Sequence, residues 1–296
     1  MGQPLTKPIS FHRDFQFEYG RIDPVTPLVR RVVAANPGPF TFTGTGTYIV
    51  GRGRVAVIDP GPDDPEHLHA LLDGLSGETV THILITHTHI DHSPLSRALA
   101  ERTGARIFAY GPNPSHSGNT GEAGGDREFH PDETLRDGDL VAGDGWAIEV
   151  LHTPGHASNH LCFALREEQV LFTGDHVMGW STSVISPPDG DMAAYVGSLR
   201  RLLARDDRTY LPTHGPRVDD THGYVSALIE HRIERELEVL SALDFGISTI
   251  EEIVARVYTD LPGNLVKAAG RSVHAHLIDL ERRGSVRKDG GGYTKT

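Results

Sequence analysis

Four residues able to bind a metal stand within six positions: His87, His89, Asp91 and His92, in the stretch Thr86-His87-Thr88-His89-Ile90-Asp91-His92. Directly before it runs His82-Ile83-Leu84-Ile85, and a helical pattern begins at Pro94 directly after it. A strand-to-helix turn is a place where side chains can converge. His87 and His89 lie two apart, so extended chain puts them on one face. Asp91 and His92 lie where the chain bends and can address a second point nearby. Imidazole with carboxylate suits zinc, iron or manganese, and the absence of thiolate argues against a structural cysteine-type zinc site. The fold must therefore bring a strand end and a helix start to one metal-binding point.

Short β-branched runs bounded by Gly, Pro, Asp or His predict strands at 47–50, 55–58, 82–85, 106–110, 146–151, 160–164, 169–172 and 209–211. Helical patterns fall at 66–75, 94–102, 192–204 and 223–243, with Ser93 as N-cap and Pro94 as first-turn residue of the second. The mixture predicts an α/β protein with helices packed on sheet. Residues 111–133 and 176–191 lack periodicity and read as long loops, a common place for function.

From about residue 229 the pattern changes. A helix with alternating charges runs to 243, Ser248-Thr249-Ile250-Glu251 resembles a capping box, and a third helix over 266–283 stops at Gly284. A hairpin through Gly290-Gly291-Gly292 follows, which completes the order of a winged-helix unit. The expected division is a catalytic domain over 1–228 and a winged-helix domain over 229–296. Arg282, Arg283, Arg287 and Lys288 form a local basic group there. Nucleic-acid contact and a packing or dimerisation role both stand for that unit.

The chain has 296 residues, a net charge of −12 and one cysteine, Cys162. That length is ample for a sizeable core without disulfides, and Cys162 reads as an inert residue in an apolar strand. The start lacks the apolar stretch of a signal peptide, and no run approaches the ~18 apolar residues of a membrane helix. The expectation is a soluble, cytoplasmic protein with no membrane partner, and a homodimer is compatible with it. Its acidity argues against a stable complex with a polyanion. No G-x-S-x-G context and no phosphate-cradling glycine loop is present, so serine-hydrolase and P-loop chemistry are excluded.

The stretch Thr86–His92 resembles the HxHxDH signature of the metallo-β-lactamase superfamily, and further motifs follow in order. Asp59 in Val57-Ile58-Asp59-Pro60-Gly61 matches the early acidic residue. His156 in Thr153-Pro154-Gly155-His156, Asp175 in Phe172-Thr173-Gly174-Asp175 and His214 in Leu211-Pro212-Thr213-His214-Gly215 match later ligands. The resemblance covers about residues 25–225 and implies an αββα sandwich, two mixed sheets flanked by helices. It places His87, His89 and His156 on one metal and Asp91, His92 and His214 on a second, with Asp175 bridging. Asp59 and His160 would orient the ligands from outside that set. One departure is Ser93-Pro94-Leu95, where many relatives carry a Gly-Gly pair; it removes no ligand.

Two zinc ions, or iron or manganese, would share a water and lower its pKa towards ~7, yielding a bridging hydroxide for hydrolysis. Asp91 would orient that water or shuttle its proton. The catalytic domain plus winged helix looks most like the β-lactamase-like-protein-2 subgroup, which points to a phosphodiester such as single-stranded RNA. Alternatives are a small-molecule thioester, ester or lactone, as in glyoxalase II, and a di-iron oxidoreductase. The last is disfavoured because such proteins carry Glu where His89 stands. His176 reads as structural, and His116 and His130 lie in the long loop. His67, His69, His82, His152, His222, His231, His274 and His276 read as surface or packing residues.

Overall fold

Alternating apolar side chains divide the strands between three cores, and that alternation sets the layers. The computed structural model describes residues 9–113, 125–259 and 261–296. One sheet runs in chain order: β1 (Asp23–Pro24), β2 (Val29–Val33), β3 (Gly46–Val50), β4 (Arg54–Ile58), β5 (Thr79–Leu84), β6 (Arg106–Ala109) and β7 (Glu133–Thr134). It is antiparallel from β1 to β4 and parallel from β4 to β7. The second sheet comprises β8 (Leu140–Gly143), β9 (Trp146–His152), β10 (Leu161–Leu165), β11 (Val170–Gly174) and β12 (Thr209–Pro212), with only the β11–β12 pair parallel.

On β4, Ala56 and Ile58 enter the core between the sheets, while Val55 and Val57 face the outer side. On β10, Leu161, Phe163 and Leu165 point to the shared core, and Cys162 and Ala164 point away. This period of two lets each sheet bury both faces. The first sheet is covered outside by α1 (Pro65–Gly74) and α2 (Leu95–Thr103), the second by α3 (Met192–Leu203) and α4 (Thr221–Asp244). The result is the expected αββα sandwich with mixed sheets.

Two local details differ from the sequence reading. α2 starts at Leu95, with Pro94 at its cap position and no side-chain cap bond; the Ser93 hydroxyl turns instead towards His89 O and Asp126. The capping box is shifted by one residue, with Thr249 and Glu252 exchanging hydrogen bonds at the start of α5 (Ile250–Val257). Part of the long loop, His116 included, lies outside the described residues.

The C-terminal unit adds α5, α6 (Val266–Arg282) and a hairpin of β13 (Val286–Asp289) and β14 (Gly292–Lys295). Its own core gathers Ile253, Val273, Leu277, Leu280 and Tyr293 around Val239 and Ala242 of α4. α4 passes without a break through residue 229, so one helix belongs to both units. Ala275 of α6 joins the core under α3, and Arg282 pairs with Asp191, the N-cap of α3. Two members of the basic group are thus engaged internally, since Arg283 pairs with Glu236 and Asp279. Among the described residues, no helix is long and apolar enough to cross a membrane.

The β9–β10 turn is fixed by Gly155. Its φ is +147°, and a Cβ there would lie 2.3 Å from the Tyr195 Cα in α3. Gly155→Ala should therefore destabilise the fold by roughly 2–4 kcal/mol. Denaturant unfolding would measure it, and a loss under about 0.5 kcal/mol, the scale of a plain surface substitution, would contradict this packing.

Candidate metal centre

The site lies where β4, β5, β9, β11 and β12 end, on one rim of the sandwich. His87 Nε2, His89 Nδ1 and His156 Nε2 converge, with 2.8 Å between the first two and 3.1 Å between the last two. Zinc–nitrogen bonds of ~2.0–2.1 Å in a tetrahedron hold neighbouring nitrogens about 3.3 Å apart. A few ångströms away, His214 Nε2 is 3.1 Å from Asp91 Oδ2, and His92 Nε2 is 3.6 Å from the same oxygen. Asp175 lies between the two groups. Its Oδ1 is 3.4 Å from His214 Nε2 and 3.6 Å from His92 Nε2, while its Oδ2 is 3.7 Å from His156 Nε2. All seven residues expected as ligands are thus brought together, as groups able to hold metal ions.

The outward nitrogens of three imidazoles are held by oxygen. His92 Nδ1 bonds Asp59 Oδ2 at 2.9 Å, His156 Nδ1 bonds the Val184 carbonyl at 2.7 Å, and His214 Nδ1 bonds the Gly44 carbonyl at 3.2 Å. Such partners fix the tautomer, so that the inward nitrogen keeps its lone pair for a cation. Asp59 also accepts from Thr86 N, Thr86 Oγ1 and Thr213 Oγ1. His160 Nε2 accepts from the Asp175 amide while its Nδ1 meets Thr153 Oγ1, so it steadies the backbone of Asp175.

His92 Nε2, His214 Nε2 and Asp175 Oδ1 are buried and have no hydrogen-bond partner. A bare buried polar group costs about 1–3 kcal/mol, and a cation between them would satisfy all three. The electrostatics agree. Burial, then the neighbouring imidazoles, hold His87 well below the ordinary histidine range, and burial followed by His156 brings His89 down to about 3. Both are therefore neutral at neutral pH, as a cation would require of them. Burial would raise Asp175, but His214 and His92 outweigh it and keep the carboxyl ionised. Burial would lower His92 and His214, but the facing carboxylates raise both, so an arriving cation displaces their protons.

Several contributors had no signal in the sequence. Val184 and Gly44 act through carbonyls, which any residue supplies. Asn159 donates to Thr88 Oγ1 and to the Gly111 carbonyl, bracing the signature loop. Thr86 and Thr213 flank recognised motifs and were legible in principle as partners for Asp59. His176 is fully buried, packed on Tyr195 and His160, with both ring nitrogens unpartnered. His130 is exposed. His231, expected as a surface or packing residue, lines the cavity that opens on the centre.

This fold and rim of imidazoles and carboxylates define a metal-dependent hydrolase scaffold. The chain belongs to the metallo-beta-lactamase superfamily, whose sequence model matches residues 41–214. The beta-lactamase associated winged helix domain matches residues 249–294. The Beta-lactamase-like protein 2 homolog of Drosophila melanogaster is 32% identical over 278 residues, covering 89% of this chain and 91% of that protein. An atrochrysone carboxyl ACP thioesterase of Claviceps purpurea is 31% identical over 246 residues, 80% of this chain and 74% of that one. A metallo-beta-lactamase family protein from Thermus thermophilus superposes with a TM-score of 0.76 at 25% identity, covering 92% of this chain and all of that one.

Replacing Asp59 with Asn removes the acceptor that orients His92 without touching an inward-facing atom. Asp59→Asn should weaken metal affinity by roughly 10–100-fold, read by competition with a chelating dye. Unchanged affinity would rule out this role for Asp59.

Proposed function

We propose that the chain is a two-metal hydrolase, loaded with zinc, that cleaves a thioester bearing a bulky apolar acyl group. The observation that carries this reading is a cavity of about 630 Å³ that opens on the centre. His89, Asp91, His156 and Asp175 form one end of it. Its walls are apolar over much of their length, with Trp180, Val184 and Pro187 on one side and Leu261, Leu265 and Ala269 of the C-terminal unit on the other. Such a space suits a large acyl group held by apolar contact, with few polar groups to fix orientation. The thioesterase name of the Claviceps purpurea relative supports the same substrate class.

In this reading His87, His89 and His156 would hold one ion and Asp91, His92 and His214 the other, with Asp175 available to both. The donor set of five imidazoles and two carboxylates without thiolate suits zinc, and iron or manganese could share it. Bound cations would supply Lewis-acid polarisation of the thioester carbonyl and activation of water. Asp91 faces the cavity. Burial would raise its carboxyl, but His92 and His214 outweigh burial and keep it ionised. It would take the proton of the attacking water and pass it to the departing thiolate, giving a carboxylic acid and a thiol. The C-terminal unit would serve as the substrate wall.

The phosphodiester reading ranks second. Arg13 and Arg271 line the same cavity and suit a phosphate. Single-stranded nucleic acid, however, is held by a basic groove with stacking platforms, and this chain carries a net charge of −12.

Aryl- and long-chain acyl thioesters should be hydrolysed by the zinc-loaded protein, with activity lost to chelator and regained with zinc. Asp91→Asn should lower kcat by roughly 10²–10⁴-fold, the scale of a general acid–base group, with an unchanged melting profile. Chelator-sensitive cleavage of single-stranded RNA with no thioester turnover would replace this reading by the second.

A further inference from the structure

Among the described residues, one charge in the cavity wall has no counter-charge. Arg232 of α4 lines the cavity and is only 3% exposed. One terminal nitrogen donates to the Ser183 carbonyl, the guanidinium stands 5.1 Å from the Tyr195 ring centroid, and Nε is buried without an acceptor. Among the described residues no carboxylate pairs with it, whereas Arg30, Arg97, Arg205 and Arg283 each face one. His231 beside it is neutral, lowered to about 3 by burial and then by Arg232 and Arg235. Burying an unpaired guanidinium is costly, so the arrangement calls for an anion from outside the chain.

The cavity as a whole has the same bias. In a chain of net charge −12, its described lining offers Arg13 and Arg232 beside one carboxylate outside the metal centre, Asp189. Asp189 is already engaged by the Ser158 amide.

We propose that Arg232 receives a carboxylate carried on the acyl group of the substrate. This deepens the thioester reading and rests on it for the word acyl. Position favours that source of negative charge. Arg232 binds the carbonyl of residue 183, and the carbonyl of the next residue, Val184, binds His156. The guanidinium is thus within roughly 10 Å of the outer nitrogen of His156, one peptide spacing and two hydrogen bonds away, with the width of one imidazole between that nitrogen and the centre. The phosphate of a pantetheine carrier is separated from its thioester by the whole pantetheine arm. A carboxylate a few carbons from the scissile carbonyl fits the distance, and the planar guanidinium fork matches it. The aliphatic or aromatic body between the two ends would lie against the apolar walls.

Equilibrium binding of hydrolysis-product analogues tests this without catalysis. Dicarboxylates from glutarate to suberate are titrated calorimetrically into zinc-loaded protein, each against the monocarboxylate of equal chain length. Both members can place one carboxylate at the centre, and only the diacid has a second. At least one diacid should bind tenfold or more tightly than its partner, the scale of a charge-assisted hydrogen bond. In Arg232→Gln that ratio should fall to near one, and in Arg232→Lys, which keeps the charge but not the fork, to an intermediate value. Circular dichroism and zinc content establish that each variant folds. If Arg232→Gln does not fold, the Lys variant alone must lower the ratio by about threefold, since the fork geometry adds to a point charge. A wild-type protein without diacid preference, or a preference that survives Arg232→Gln, overturns the proposal. Coenzyme A binding lost in Arg232→Gln while the diacid ratio stays unchanged would assign the anion to the carrier and also overturn it. Absence of thioester turnover sinks the proposed function, yet this binding readout still decides the role of Arg232.

Discussion

The carboxylate of Asp59 is buried to 0% exposure and accepts four hydrogen bonds, from Thr86 N, Thr86 Oγ1, Thr213 Oγ1 and His92 Nδ1. Those donors follow β5 in the first sheet and β12 in the second, while Asp59 itself directly follows β4. One anion therefore ties the rims of both sheets together and turns a ligand inward. The backbone of Asp59 sits at φ +48°, an uncommon conformation away from glycine. Strain of this kind persists where surrounding structure over-determines it, and it clusters at functional sites. Without that knot, the strand ends would have no common point at which to present five imidazoles and two carboxylates.

Charge is distributed around this knot so that a cation completes it. His87 and His89, held neutral by burial, face one pocket, and Asp91 and Asp175, held ionised by neighbouring imidazoles, face the other. The oxygens that orient His156 and His214 come from peptide groups of loops that also shape the cavity. Through Val184, the segment that positions His156 is the same segment that lines the cavity. Ser183 extends that link, since its hydroxyl donates to the carbonyls of Asp175 and His176 while its own carbonyl accepts from Arg232.

The ligand cluster was legible because its members are close in sequence and their types are rare in combination. The strands that bury both faces were legible as β-branched runs. β2 was missed because Arg30 and Arg31 interrupt its apolar pattern; Arg30 is paired with Glu78, and Arg31 lies over the Phe15 ring. β8 was missed because its four residues are mostly small or exposed and gain order only by pairing with β9. Ser93 misled as a cap because propensity favours it, while the tertiary turn around His89 uses its hydroxyl elsewhere. The cavity, and the parts of His231 and Arg232 in it, could not be read at all. They depend on how α4 and α6 pack across the rim, which no local pattern encodes.

The winged-helix unit lines the cavity that opens on the centre, which its sequence did not disclose. Its α5–α6 segment closes a space that the sandwich alone would leave open, and α4 is continuous between the two. The proposed role of the cavity depends on the proposed two-metal centre, because a cavity serves hydrolysis only if it leads to reactive groups. Anomalous diffraction from zinc-loaded crystals tests this most directly. Two peaks about 3.5–4 Å apart, one among His87, His89 and His156 and one among Asp91, His92 and His214, with Asp175 between them, are expected. A single peak, or peaks away from these side chains, would contradict the account.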